Sequence, residues 1–421
     1  MRGDSPGIDQ PGVRNYQGDN FALYLRDTVD RIQMPSDHIM ESSRLVGIEA
    51  TGYCRVADLA VRIGRARYGR YREDCHHENA KQFHIYFILA PAGCVEAQVP
   101  KRLQPSQGCW YNLDMSRVVV IRYSDPVENG HLSVQEYTPM LRSGLTRLSE
   151  GGDAAGFLKQ SIPNGPVGLK TNCVARRAYA TPSALCTAVG DLLEDIGLKE
   201  NDIITWDRTS RELKAAGFEL NAASFGRRCF GTDAHPSGYG REFYTYGEVA
   251  SLVSGILTHE VGADINMPVL KDHSLAGVSC CLKNMYGAIN NPNKYHDNNC
   301  DPFAAHVNML APIRSTFRLA VVDAVQLQYH AGPGYSPAHI VNYHGLLLGA
   351  DPVAVDTIAY RLIDHYRRAA QLEPLALAGR KPTWLQTAQE LGLGTAEPDA
   401  IEVVSLVIDR DSRAVEGELM P

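Results

Sequence analysis

No apolar run in this chain approaches the roughly 20 residues that cross a bilayer, and no basic stretch near the N-terminus leads into an apolar core. The expectation is a soluble, cytoplasmic protein with no membrane partner. Positive charge is scarce as well: 41 Lys and Arg stand against 48 Asp and Glu, for a net charge of -7, and no cationic cluster is interleaved with aromatics. That excludes the electrostatic footprint of a nucleic-acid binder. The ten cysteines contain no CxxC pair, since Cys280 and Cys281 are merely adjacent. Neither a zinc ribbon nor an iron-sulfur cluster is written locally, so no metal ligand is assigned and the thiols are expected to be reduced and buried. Also missing are a GxSxG elbow, a Walker loop and a GxGxxG turn after a strand, which leaves hydrolase, P-loop and dinucleotide readings without local support.

What the chain has is length and apolar content. At 421 residues and 44% hydrophobic it can hold two domains, or one large α/β domain with an appendage. Its chemistry is concentrated in residues 264–291, DINMPVLKDHSLAGVSCCLKNMYGAINN. Ile265, Met267, Val269 and Leu270 suit a short buried strand, whereas Leu275, Val278, Leu282 and Met285 recur at helical spacing. Lys271, Asp272, His273 and Ser274 are therefore expected at a strand-to-helix turn. In open α/β sheets, ligands gather outside the carboxyl ends of strands, and a helix N-terminus there offers free N–H groups. A lysine, a histidine and a hydroxyl at such a place suit an anion. Lys283 and Asn284 follow about three turns on, where Lys283 is either solvated or a second contact to the site.

Residues 1–114 read differently. Arginine far outnumbers lysine and no period is sustained; 84–90 (HIYFILA) suits one strand, and Cys75, His76 and His77 lack the spaced partners of a metal site. The segment is expected to be an extension, disordered or outside the native protein, with the functional chain beginning at or near Met115. From there the elements alternate. Leu141 to Leu148 reads as helix, and Pro166 to Leu169 as a strand delivering Lys170, Thr171 and Asn172. Thr181 and Pro182 read as N-cap and first residue of a helix stopping near Gly197, and NDIITWD as a strand parallel to the previous one. Residues 218–246 read as a loop-rich excursion, a lid or an insertion, before a helix near Val249 to His259. Further on, a helix through Phe303, Val307 and Leu310 precedes a strand ending at Asp323. The glycines and prolines of 330–337, HAGPGYSP, force a loop. Asp351 and Pro352 open another helix, with Asp356 in its first turns, near the positive end of the dipole. A helix and an edge strand end the chain.

With these residues assembled, the stretch from about Met115 to Ile408 resembles a large uncharacterised family, domain-of-unknown-function family 362, some of whose members are joined to iron-sulfur modules. The resemblance rests on Lys170-Thr171-Asn172, the Thr181-Pro182 helix start, VLKDHSLAGVSCCLKNMYG, Asp323 in VVDAV, the GPG at Gly332 to Gly334, and GADPVAVD from Gly349 to Asp356. Members often have Pro at the place of Thr171 and Thr at that of Asp272 or Ser274. The resemblance implies an α/β fold, mainly parallel or mixed, with helices on both faces and a shared polar site, but no reaction and no cofactor. The four-cysteine runs of some members are missing here, which weakens an electron-transfer role unless a redox partner supplies the cluster.

The leading expectation is an enzyme acting on a small carboxylate or phosphate. Lys271 and His273 are its candidate catalytic residues, and Lys170, Asn172, Ser274, Lys283, Asn284, Asp323 and Asp356 its candidate substrate contacts. The alternatives are a redox accessory or metal-associated protein using Cys280, Cys281, His273, Asp323 or Asp356, and a non-catalytic anion-binding module.

Overall fold

The computed structural model describes residues 46–50, 83–87, 116–127, 130–149 and 151–420, and the chain divides into two units, Met1–Gln104 and Pro105–Pro421. In the first unit the described residues form two antiparallel strands, β1 (Val46–Ala50) and β2 (Phe83–Phe87), with Val46 opposite Phe87 and Ala50 opposite Phe83. The strand expected at 84–90 corresponds to β2. The other expectations for 1–114, and the expected start at Met115, lie outside the described residues.

The second unit is built on an eleven-stranded mixed sheet. In chain order come β3 (Ser116–Tyr123), β4 (Val167–Lys170), β5 (Ile203–Asp207), β6 (Arg228–Gly231), then β7 (Tyr239–Tyr246) and β8 (Val249–Ser254), which pair separately as an antiparallel ribbon. They are followed by β9 (Ala263–Asn266), β10 (Val269–His273), β11 (Gly277–Ser279), β12 (Phe317–Gln328), β13 (Ile340–Gly349), β14 (Ile401–Ile408) and β15 (Ala414–Glu416). Across the sheet the order is β15-β14-β3-β13-β12-β9-β4-β5-β6, with β10 on β12 and β11 on β10. From β12 through β9, β4 and β5 to β6 every pairing is parallel. Parallel strands are covered on both faces and so read as unbroken apolar runs. In the run VVVI of β3, Val118 and Val120 join one core layer while Val119 and Ile121 join the other.

The helices that supply the two layers are α1 (Val134–Leu148), α2 (Ala154–Ser161), α3 (Ser183–Asp195), α4 (Ser210–Ala216), α5 (Cys281–Asn284), α6 (Phe303–Asn308), α7 (Ala311–Thr316), α8 (Pro352–Ala369) and α9 (Trp384–Glu390). Tyr137, Met140 and Leu141 of α1 pack with Leu185, Val189 and Leu192 of α3 on one face. Ile358 and Leu362 of α8 pack with Trp384 and Ala388 of α9 on the other. The fold is α/β with helices on both faces, as expected. Asp351 caps α8 as its position demands, its Oδ1 accepting from Val353 N and Ala354 N at 2.9 Å each, with Pro352 at the first helical position.

Several expectations are corrected. Thr181 does not cap α3: its hydroxyl donates to Met267 O at 2.6 Å and accepts from Asn172 N at 2.8 Å, tying β4 to the segment after β9. Within the excursion at 218–246, residues 228–231 and 239–246 are strands β6 and β7, and in place of the helix expected near Val249 come strand β8 and a π-turn at Ile256–Glu260. The terminal strand β14 is not the edge, because β15 pairs outside it.

The correction that matters most falls at the site. Lys271, Asp272 and His273 do not sit at a strand-to-helix turn; they belong to β10, which reverses into β11 with Lys271 opposite Ser279 and His273 opposite Gly277. Gly277 makes the reversal feasible. Its φ is +77°, and a Cβ there would lie 2.2 Å from Arg380 O, so only glycine fits. Strand β12 is long enough to pair with β9 first and β10 afterwards, so a single ladder carries the chain past Pro268 and brings Lys271 opposite Gln328.

Candidate functional site

Lys170, Asp207 and Asn266 are the last residues of β4, β5 and β9, and the parallel register aligns Lys170 with Trp206 on one side and Asn266 on the other. Three polar groups thus arrive at one rim of the sheet. Lys170 Nζ pairs with Asp207 Oδ1 at 2.8 Å, donates to Thr171 O at 2.6 Å and lies 5.3 Å from the Trp206 ring centroid. Asp207 is saturated in turn, accepting from Cys173 N and Arg208 N at 2.7 Å each. A Cβ on Gly287 would come within 2.9 Å of Lys170 Nζ, so the backbone of that turn closes directly over the pair. Lys170 is spent inside the protein.

Beneath the rim, Asp264 accepts from Trp206 Nε1 at 2.8 Å through Oδ1, while its Oδ2 is buried without a hydrogen-bond partner. Burial, opposed by Trp206 and Lys170, raises its pKa to about 7. An acid whose folded pKa is raised stabilises the fold while protonated and loses that contribution as pH climbs toward the folded value. Between about pH 5 and pH 7 the wild type should therefore lose about 2 kcal/mol relative to Asp264→Asn, measured by urea denaturation; parallel profiles would refute the assignment.

Lys271 differs from Lys170. It is 1% exposed, and its Nζ donates to a neutral group, Asn172 Oδ1, at 2.9 Å. That amide begins a relay: Asn172 Nδ2 donates to Asn284 Oδ1 (3.1 Å), Asn284 Nδ2 to Asn266 Oδ1 (2.7 Å), and Asn266 Nδ2 to Cys281 O (2.9 Å). The ends of β4, β9 and β10 are thereby locked to α5. Burial pulls the Lys271 pKa down to about 8, against a smaller opposing pull from Asp207.

Lys283, on α5, is also buried. Its Nζ lies 3.2 Å from His296 Nε2, 3.4 Å from Cys300 Sγ and 3.4 Å from the Tyr286 ring centroid. Burial lowers its pKa to about 8, with Cys300 opposing. Among the described residues, neither Lys271 nor Lys283 has a carboxylate in ion-pair contact. His273 stacks on His296, ring centroids 5.8 Å apart. Its Nδ1 accepts from Leu275 N and Ala276 N, both at 3.1 Å, so in the neutral ring the hydrogen is on Nε2. Burial, followed by Lys283, His296, Lys271 and Arg380, drives its pKa down to about 3. It is a neutral donor at physiological pH.

Of the residues singled out from sequence, Lys271, Asn172 and Asn284 thus share one hydrogen-bond relay that reaches the Lys170 carbonyl through Asn284 Nδ2 at 3.3 Å, while Lys283 and His273 meet around His296, a second cluster that adjoins the relay where Lys283 precedes Asn284. Ser274 joins neither: it is exposed in the β10–β11 turn, where its N–H donates to Gly332 O at 3.0 Å. Nor does Asp323, because strand alternation turns it to the α1 side. There it lines a cavity of about 20 Å³ with Tyr137 and Tyr179, and burial raises its pKa to about 7. Asp356 lies beneath the site. Its two oxygens accept from Cys281 N (2.6 Å) and Leu282 N (2.9 Å), so it caps α5 from another helix. Asp272 is structural as well, meeting Arg380 at 2.8 Å and Arg367 at 3.7 Å, while its Oδ2 accepts from Gly332 N at 3.1 Å. The loop 330–337 is thereby fastened, and a Cβ at Gly332 would sit 1.8 Å from Asp272 O.

One group of potential metal ligands occurs among the described residues: Cys280 Sγ, Cys281 Sγ and an Asp356 oxygen, all within 4.8 Å of one another. The set reads as a helix cap rather than a metal centre, because both Asp356 oxygens are engaged. Burial also pushes the Cys280 thiol up to about 12 and that of Cys281 well above its ordinary value. Sequence reasoning missed His296, Tyr286 and Cys300. His296 lies in the polar stretch NPNKYHDNNCDP, and the available signal was an aromatic pair, Tyr295-His296, in a loop otherwise fit for solvent.

Residues 167–361 match a family model described as a domain of unknown function, DUF362. The chain carries a DUF362 domain. The match runs from the start of β4 into α8 and contains every residue of the relay and of the cluster, whereas Arg367, Arg380, β3, β14 and β15 lie outside it. No functionally curated protein matches the sequence. Among solved structures, a structural-genomics protein of Thermotoga maritima is similar at 12% identity and a TM-score of 0.36, over 59% of this chain and 61% of that one. This chain thus spans less than two thirds of that protein. No helix among the described residues, in the DUF362 domain or beyond it, is long and apolar enough to cross a membrane.

Proposed function

We propose that the DUF362 domain of this chain binds a small anion, a carboxylate or a phosphate, between Lys271 and Lys283, and that the protein is an enzyme acting on it. One observation carries this reading: two buried ammonium groups without carboxylate partners flank the same neutral imidazole. A buried charge is costly unless paired, and an incoming anion pairs two at once. Asn172 and Asn284 orient the amide relay beside it. His273, neutral and donating from Nε2, acts as an electrophilic donor to an oxyanion rather than as a base, because two backbone N–H groups occupy its other nitrogen. The compartment expected for it is the cytoplasm, where the six described cysteines, all free and buried, stay reduced.

Calorimetric titration with phosphate, oxalate and pyruvate should show saturable binding that weakens as pH rises through about 8, where both lysines lose their charge. His273→Ala should abolish turnover while the fold persists. Binding unchanged up to pH 10, or full activity of both Lys271→Ala and His273→Ala, would remove the site. A redox or metal-associated role would draw on Cys280, Cys281 and Asp356, or on a partner's cluster. Elemental analysis finding a stoichiometric metal would favour it.

A further inference from the structure

Lys283, His296 and the carbonyl of Pro292 stand in the order of a nucleophile, a base and the group that orients the base. Lys283 Nζ is 3.2 Å from His296 Nε2, and His296 Nδ1 is 3.0 Å from Pro292 O. A carbonyl accepts only, so the imidazole places its hydrogen on Nδ1 and turns the Nε2 lone pair toward the amine. That arrangement activates a nucleophile. The remaining neighbours of Nζ, the Cys300 sulfur and the Tyr286 ring, are polarizable. A lysine that served only as a counter-charge would be matched with a carboxylate, as Lys170 is with Asp207. Lys283 is instead set beside a proton acceptor. The segment 291–301 supplies both His296 and Cys300; its Asn293, Lys294, Asp297 and Asn298 are exposed and His296 is half-buried.

Resting on the anion-binding reading above, we propose that Lys283 condenses with the carbonyl of a small oxo acid, whose carboxylate is held by Lys271, to form an imine. The ammonium first passes one proton to His296 Nε2. The free amine then adds to the carbonyl carbon: a C–N bond forms, the C=O π bond opens, and the oxygen takes that proton back from the imidazolium. The nitrogen next releases a second proton to His296, which hands it to the hydroxyl, and the hydroxyl leaves as water. The sum is R-NH3+ plus a carbonyl giving a protonated imine plus water, with no oxidant or reductant. The lowered pKa of Lys283, about 8, agrees, since it frees about one amine in ten at pH 7.

The test uses the full chain, incubated with pyruvate or 2-oxoglutarate and sodium borohydride, digested, and mapped by peptide mass spectrometry. Lactate and 2-hydroxyglutarate, which keep the carboxylates but lack the carbonyl, are run beside them, and calorimetry measures the binding of all four. The expected result is binding of both kinds of acid, with an oxo-acid-dependent adduct on Lys283 at least tenfold above that on the exposed Lys159 and Lys214. Lys283→Arg should abolish the adduct. His296→Asn, checked for folding by circular dichroism, should keep the binding and slow trapping about a hundredfold. Binding without an adduct on Lys283 overturns the imine and leaves the anion site standing. An adduct on Lys271, or on exposed lysines alone, overturns the assignment of the nucleophile. Failure of all four acids to bind overturns the imine, and failure of phosphate as well overturns the reading beneath it.

Discussion

Lys170→Met should cost about 3–5 kcal/mol of stability, whereas Lys271→Met should leave the protein as stable or more so and lower its affinity for small anions at least tenfold. The two lysines are equally buried, Lys170 at the end of β4 and Lys271 in the middle of β10, yet they solve opposite problems. Removing Lys170 strands Asp207, an otherwise inaccessible carboxylate that keeps only two backbone donors, and breaking one half of a buried pair carries the penalty of the half that remains. Removing Lys271 strands nothing charged. Asn172 Oδ1 loses one donor, and the fold is relieved of an ammonium whose pKa burial has already brought down to about 8. The sign for stability follows from linkage. Between about pH 8 and pH 10.5 the unfolded lysine holds a proton that the folded one has lost, so wild-type stability rises across that window, and the rise should shrink in Lys271→Met. Urea denaturation at several pH values, with calorimetric anion titration of the same variants, separates the two roles. Equal destabilisation by both substitutions would show that Lys271 is structural as well.

How far such a division could be read in advance depends on what each local pattern encodes. The positions of Lys170 and Asp207 at strand ends were legible, because a short apolar run that stops at a polar residue marks where a parallel strand leaves the sheet. Asp351-Pro352 was legible for the same kind of reason, a cap and a preset φ written in adjacent residues. The hairpin at Lys271–Ser279 was not. Leu275, Val278, Leu282 and Met285 do fall at helical spacing, but Val278 is in β11 and Leu282 in α5. Leu275 is 44% exposed, and Val278, Leu282 and Met285 reach one core layer from a strand, a helix and a 3-10 turn rather than from one helix face; the deciding feature, the approach of Arg380 O to Gly277, spans about a hundred residues of sequence. Residues 218–254 misled differently. The alternation in Tyr239–Tyr246 was present, yet glycines and polar residues on either side suggested loop, and only the pairing with β8 makes it a strand. His296 escaped because burial of a loop histidine depends on what the loop covers. Lys283 was undecidable for the matching reason, since a helical lysine reads as solvated until its neighbours are known.

Asp356→Asn should destabilise the protein by about 2–4 kcal/mol and, in the protein that still folds, weaken anion binding without touching any residue that meets the ligand. The carboxylate accepts from Cys281 N and Leu282 N, the first two donors of α5, and a four-residue helix has too few internal hydrogen bonds to hold itself. Asparagine keeps one acceptor and aims an N–H pair at the other donor, so a satisfied contact becomes a repulsive one. The disturbance passes along α5 to Lys283 and Asn284, and through Asn284 to Asn172 and Lys271. Burial raises the Asp356 pKa to about 6, so the folded protein takes up a proton there before the unfolded chain does, and acidification from pH 7 to pH 5 should stabilise the wild type by about 1 kcal/mol through this group. The same step should change little in Asp356→Asn. Thermal denaturation and anion titration of both proteins at pH 5 and pH 8 test the coupling. Loss of stability with affinity unchanged would confine Asp356 to capping and detach it from the position of Lys283.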